Sequence, residues 1–171
     1  MDHLRGAIEA LQARLGEGVV GREDFRGQIC LELTPTTLLS AARALRHEWD
    51  FDLLAGLTAS DVWPSEPRFS LMYTLYSVQH NVFLRLRVRL PGTTPEVESL
   101  EPVYPSANWH EREVFDMFGI SFRGHSDLRR ILLPYEWVGH PLRKDHPLGY
   151  EEVQFSFNFD EIDRRKPYAR E

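Results

Sequence analysis

Apolar residues recur at steps of three and four near the start of the chain: Leu4, Ile8, Leu11 and Leu15, with Gly16 behind them. That spacing predicts an amphipathic helix over 3–15, stopped by the glycine. The following stretch, GEGVVGREDFRG, is rich in turn-formers and reads as a loop. QICLEL, Gln28–Leu33, reads as a short strand. Thr34-Pro35 then suggests an N-cap with proline at the first helical position. It predicts a helix from Pro35 to about Trp49, with Leu38, Ala42 and Leu45 on one stripe. DFDLLAGLTASDV reads as a strand that frays into a loop at WPSEP.

The period then switches to two. RFSLMYTLYSV and NVFLRLRVRL flank Gln79-His80, the pattern of a hairpin. In the second of these, Leu84, Leu86, Val88 and Leu90 alternate with Arg85, Arg87 and Arg89, so one face is core and the other is wet or covered by acids. The arginines could serve a phosphate, but a solvated face with cross-strand acidic partners fits the charge balance better. After the proline-rich loop PGTTPEVESLEPVYPS, Ser106 is placed to cap a helix from Ala107 to Phe118 that Gly119 ends. The predicted fold class is α+β. It has a mixed or antiparallel sheet with helices packed on it, then a loop-rich C-terminal region and an extended tail. Residues 1–150 are expected to form one domain and 151–171 the tail.

Composition narrows the function classes. A chain of 171 residues with 42% apolar and 27% charged residues is long enough for a real core. The net charge of -6 disfavours nucleic acid and anionic membranes. Cys30 is the single cysteine, so neither an intrachain disulfide nor a four-thiolate cluster can form. The start of the chain lacks a signal-peptide pattern and no apolar run approaches spanning length, so the chain is expected to be cytoplasmic and soluble by itself.

Chemistry concentrates between Trp109 and Leu148, where large apolar residues and charges of both signs interleave. Such a mixture suits an active site or a protein–protein seam. On the predicted helix Trp109, Arg112, Glu113 and Asp116 share one face, with Arg112 and Asp116 an i,i+4 pair. Glu111 falls among Ala107, Val114, Phe115 and Phe118, so it needs a cation or donors, and Arg129 or Arg130 is the natural candidate. Glu111, Glu113 and Asp116 could act as acid or base. His125, Asp127, His140, Asp145 and His146 could ligate a metal, and a metal-dependent hydrolase using His125, His140 and Asp145 is the alternative reading. The spacings match neither HExxH nor CxxC, Ser106 and Ser126 lack a GxSxG context, and no phosphate-binding glycine motif occurs.

EREVFDMFGISFRGHSDLRRILLP followed by WVGHPLRKDHPL resembles the signature of the C-subunit family of NADH-quinone oxidoreductase, the 30-kilodalton type of respiratory complex I. The residues that match are Glu111, Arg112, Glu113, Asp116, Met117-Phe118, His125, Arg129 and Ile131-Leu132, with Arg130 beside them. The resemblance runs from about residue 5 to the end. It implies a non-catalytic structural subunit of the hydrophilic arm of a proton-translocating NADH-quinone oxidoreductase, on the cytoplasmic side of the cell membrane. Its expected neighbours are the quinone-pocket (D-type) subunit and iron–sulfur subunits, with no nucleic acid and membrane contact only through the complex. FMN, iron–sulfur clusters and quinone would be bound by partners, with no cofactor or metal in this chain and no activity when isolated. A related membrane-bound hydrogenase or ferredoxin-linked complex is the nearest alternative assembly. Gly139, His140, Pro141, Leu142, Arg143, Lys144 and Asp145 form a proline-stiffened segment expected to dock on a partner, with Leu142 and Leu148 as anchors. Arg112, Arg129, Arg130, Arg143 and Lys144 are expected to pair with acids of this chain or its neighbours. Phe155, Phe157 and Phe159 alternate in the tail and are expected to dock as well.

Overall fold

Five strands form a mixed sheet in a computed structural model that describes residues 2–146 together with Phe157, Asn158, Asp160, Glu161 and Arg164. The strands are β1 (Val19–Phe25), β2 (Gln28–Leu33), β3 (Leu53–Asp61), β4 (Phe69–Ser77) and β5 (Val82–Leu90). Their spatial order is β1-β2-β5-β4-β3, antiparallel throughout except for the central β2–β5 pair, which is parallel. The parallel step follows from the connection. The chain leaves β2, forms the helix α2 (Leu38–Glu48), adds the β3–β4 hairpin and returns as β5.

The alternation in β4 and β5 works as predicted. Phe69, Leu71, Tyr73 and Leu75 face the core with Leu84, Leu86, Val88 and Leu90. Leu4, Ala7, Ile8 and Leu11 of α1 (Asp2–Leu15) enter the same core, as do Leu38, Ala41, Ala42 and Leu45 of α2. Fully burying one such leucine contributes roughly 1.5–3 kcal/mol. On the other face Arg87 pairs with Glu23 at 3.0 Å and Arg89 with Glu32 at 2.9 Å. These arginines have the cross-strand acidic partners that the charge balance suggested.

Two local expectations need correction. The stretch 16–27 is not all loop: Gly16–Gly18 forms a 3-10 turn and Val19–Phe25 forms the edge strand β1. Most of β1 is exposed, so no apolar alternation betrays it. The available signal was Arg26-Gly27, a two-residue hairpin loop in which both φ values are positive, at 51° and 76°. The second helix begins at Leu38 rather than Pro35, because the hydroxyls of Thr34 and Thr37 and their backbone close a turn first.

The third helix, α3 (Ala107–Phe118), has the predicted bounds and ends at Gly119, whose φ is +73°. Ser106 provides no side-chain cap. A second, two-stranded parallel sheet, β6 (Glu96–Glu98) with β7 (Ser121–Arg123), brackets α3 and was not foreseen. Three-residue strands are too short to show a period. Residues 124–146 are turns and bends, the loop-rich region the prolines implied.

Candidate functional site

Glu111 faces inward from α3 and is fully buried. Its Oε1 accepts the Leu100 amide at 2.7 Å and its Oε2 accepts the Ser99 hydroxyl at 2.5 Å. The expected arginine partner is absent: Arg129 pairs with Asp127 at 2.7 Å and Arg130 with Asp116 at 2.6 Å. Burial pushes the Glu111 carboxyl up to about 7, against the pull of the Ser99 and Leu100 hydrogen bonds. Its donors come from the turn after β6. A main-chain amide carries no sequence signal, so the residue's burial was legible and its partner was not.

Asp116 pairs with Arg130 rather than with Arg112, its expected i,i+4 partner. It is fully buried, because the chain after β7 folds back over the end of α3. Oδ2 accepts the amides of Ile131, Leu132 and Leu133 at 3.1, 2.8 and 2.9 Å, and Oδ1 accepts Arg130. Burial alone would raise this carboxyl, but the Leu133 and Leu132 amides, the Arg130 guanidinium and the Ile131 amide outweigh it and hold it below the usual range. Arg112, freed from its expected i,i+4 pair, donates to the carbonyls of Arg129 and Arg130 and lies over the Trp109 ring. Glu113 is exposed.

His125 is enclosed between α3 and the turn after β7. Its Nδ1 accepts the Asp127 amide at 3.0 Å, so Nε2 carries the hydrogen and donates to the Asn108 carbonyl at 3.1 Å. Glu101 closes this corner by accepting the Ser126 amide and hydroxyl, which hold its carboxyl below the usual range, together with the Asn108 side chain.

The segment 139–146 is tied to its own chain at several points. Arg130 donates to the Gly139 carbonyl at 2.9 Å, the His140 ring bonds the Asp116 carbonyl at 2.9 Å, and the Leu142 amide donates to Met117 at 3.0 Å. A side chain at Gly119 would meet the His140 ring at 2.6 Å, so the glycine that ends α3 also admits this segment. Farther on, the Lys144 amide donates to Asp61 and Asp145 accepts from Arg68, each at 2.8 Å. Arg68 grips Asp61 through two further bonds, and the Arg68 hydrogen bonds, then the Lys144 and Trp63 amides, hold the Asp61 carboxyl at about 2 despite burial. Arg143 pairs with Asp145 inside the chain and lies over Phe69, on which Arg68 also rests. Asp61, Arg68 and Ser99 were not foreseen, since the end of β3 reads in the sequence only as a strand fraying into a loop.

These clasps hold an apolar loop in solvent. Leu132, Tyr135, Val138 and Leu142 are 63, 95, 88 and 54% exposed, and Trp109 lies on the exposed face of α3. The Leu142 anchor is therefore half open, while Pro147, Leu148, Phe155 and Phe159 lie outside the described residues. Phe157 is described and exposed. His125, His140 and Asp145 are not gathered: among the described residues the one grouping of three ligand-type side chains is elsewhere, so the trio of the hydrolase reading does not assemble. Asp61, Asp116 and Glu101 are saturated with donors and remain charged at neutral pH, which suits them to hold structure rather than to move protons.

Residues 31–152 match the family described as respiratory-chain NADH dehydrogenase, 30 Kd subunit. The C subunit of NADH-quinone oxidoreductase from Roseiflexus sp. (strain RS-1) is 45% identical over 166 residues, which cover 96% of this chain and 95% of that protein. The C/D subunit of NADH-quinone oxidoreductase from Methylococcus capsulatus (strain ATCC 33009 / NCIMB 11132 / Bath) is 40% identical over 90% of this chain and 28% of its own length. Among solved structures, the trypsin-resistant fragment of Nqo5 superposes with a TM-score of 0.65 at 28% identity, covering 74% of this chain and 99% of the fragment.

Proposed function

The chain belongs to the 30 Kd subunit family of the respiratory-chain NADH dehydrogenase, and from that premise we propose that it is a non-catalytic scaffold of the hydrophilic arm, docked on the quinone-pocket subunit. The observation that carries this reading is the loop 131–142. It presents Leu132, Tyr135 and Val138 to solvent, while Asp116 and Arg130 fix its backbone from behind. Exposed apolar groups on a rigid support are costly in water and suit a permanent partner. The C/D relative bears both designations on one chain, and this chain matches 28% of it, which supports a D-type neighbour.

On this reading the chain supplies geometry, and partner subunits hold the flavin, the clusters and the quinone. Residues 1–150 act as one unit and 151–171 as a docking tail. No helix among the described residues is long and apolar enough to cross a membrane, and on this reading the chain is held at the cytoplasmic face of the membrane by its partners. The test is assembly. Replacing Leu132 and Tyr135 together by aspartate and serine should abolish co-purification with the D-type subunit and the NADH:quinone reductase rate of membranes. Normal assembly of that variant would refute the proposal.

A further inference from the structure

One end of the core brings together three residues that lie far apart in the chain. His3 belongs to the first turn of α1, Asp50 follows α2, and His80 sits in the turn between β4 and β5. Their candidate ligand atoms all lie within 4.8 Å of one another. We propose that His3, Asp50 and His80 form a binding site for a divalent first-row transition ion of the zinc type. The inference stands independently of the assembly reading.

The donor set favours that class of ion. Two imidazoles and a carboxylate suit Zn²⁺ and its neighbours, whereas Mg²⁺ and Ca²⁺ require oxygen ligands. His3 is already oriented. Its Nε2 lies 2.8 Å from the Trp49 carbonyl, which can only accept, so Nε2 carries the hydrogen and Nδ1 keeps its lone pair. A ligating imidazole commonly donates its second N–H to a backbone carbonyl in this way, which fixes its tautomer and raises its basicity. The rings of Trp49 and Phe51 flank His3 at centroid distances of 5.5 and 6.2 Å and wall off one side.

Asp50 is held with φ at 51°, a left-handed conformation that aspartate tolerates better than most residues. Its Oδ2 lies 3.4 Å from His80 Nε2, too far for a firm hydrogen bond. The His80 ring stacks on His3 at 3.5 Å and 15° from parallel. Parallel rings cannot aim in-plane lone pairs at one ion, so the His80 ring must turn about its own side-chain bonds when the ion enters. Its position in a hairpin turn and its partly exposed side chain permit that rotation. The ion is then held by His3 Nδ1, one His80 nitrogen and the Asp50 carboxylate, with water at the open positions. It fastens the first turn of α1 to the β4–β5 turn and the end of α2.

The experiment is a titration of the untagged full chain, stripped with chelator, with Co²⁺ and Zn²⁺. One equivalent of Co²⁺ should bind and develop visible d–d absorption, Zn²⁺ should displace it, and Zn²⁺ should raise the melting temperature by mass action. His80→Gln and His3→Gln should each weaken binding at least about tenfold with an unchanged far-ultraviolet circular dichroism spectrum. His47→Gln, exposed on α2, should bind as the parent does. If His3→Gln impairs folding, His80→Gln in the hairpin turn decides the matter. No uptake by the folded parent chain, or undiminished uptake by His80→Gln, overturns the proposal.

Discussion

Arg68 holds Asp61 by two parallel hydrogen bonds, Nε to Oδ1 at 2.9 Å and a terminal guanidinium nitrogen to Oδ2 at 2.7 Å, with both side chains almost wholly buried. The pair links the end of β3 to the start of β4, and the same arginine reaches Asp145, so the end of the described loop region is locked to the sheet edge. Such a pair is costly to desolvate, and breaking it is costlier than omitting it.

Arg68→Met should therefore destabilise the chain by about 3–5 kcal/mol, because Asp61 is left charged without its cation. Replacing both residues, Arg68→Met with Asp61→Leu, should recover part of this. It should not recover all, since Asp61 also accepts the Trp63 and Lys144 amides. The parent's stability should depend on acid in a defined window. The Asp61 carboxyl titrates at about 2 in the folded chain and near 3.9 when unfolded. Its contribution, on the order of 2 kcal/mol, is complete above the unfolded value and is lost as pH falls toward 2. Urea melts between pH 5 and 2 should show this loss in the parent and less of it in Arg68→Met.

Glu111 works in the opposite sense. Its folded carboxyl titrates at about 7 because of burial, above the unfolded value near 4.3. Between those values the folded chain keeps a proton the unfolded chain has released, so stability falls as pH rises through the window and then levels off. Glu111→Gln cannot ionise and can keep both hydrogen bonds if the Ser99 hydroxyl reverses. Relative to the parent it should gain on the order of 2–3 kcal/mol between pH 5 and pH 8. A pH-independent difference would contradict the assignment. Glu111→Ala instead strands the Leu100 amide and should cost about 1–3 kcal/mol, against little change for Glu9→Ala on the exposed face of α1.

The contrast between Glu111 and Arg68 shows what the sequence could reveal. The burial of Glu111 was readable from Ala107, Val114 and Phe118 at helical spacing. The β4–β5 hairpin and the end of α3 at Gly119 were readable for the same reason, since each rests on a local period or a backbone conformation. The partners were not. Glu111 and Asp116 are satisfied mainly by main-chain amides, which every residue except proline possesses. Asp61 meets Arg68 across the β3–β4 connection, and Asp145 meets it only because the chain returns to the sheet edge after α3, a tertiary fact without local pattern. Likewise β1 draws its stability from pairing with β2, so its polar sequence gave no strand signal.

Asp116→Asn should loosen the loop without unfolding the domain. The amide oxygen of asparagine can still accept from Ile131, Leu132 and Leu133, but its NH₂ group must then face the Arg130 guanidinium, donor against donor. Amide hydrogen exchange at Ile131, Leu132 and Leu133 should accelerate by about tenfold or more, corresponding to on the order of 1.4 kcal/mol of lost local protection. Exchange in β4 and β5 should change little. Co-purification with the D-type subunit should fall in parallel, because the partner would then have to order the loop itself. Unchanged exchange at those amides would show that Asp116 does not fix the loop.

Arg143 and Lys144 separate folding from docking within one segment. Arg143 lies over Phe69 and pairs with Asp145 at 3.0 Å, so part of its role belongs to the chain itself. Because Asp145 is partly exposed, that pair contributes only about 0.2–1 kcal/mol, and Arg143→Ala should lower the melting temperature slightly. Lys144 is different. Its amide serves Asp61, a bond that Lys144→Ala retains, while the residue itself is exposed. Lys144→Ala should leave the free chain's melting temperature unchanged. If the segment docks on an acidic surface of the quinone-pocket subunit, Lys144→Ala should also weaken co-purification, and Lys144→Glu should weaken it further, more so at low ionic strength where the charge is least screened. Normal assembly of Lys144→Glu would show that this segment faces solvent in the complex, leaving the apolar loop at 131–138 as the docking element.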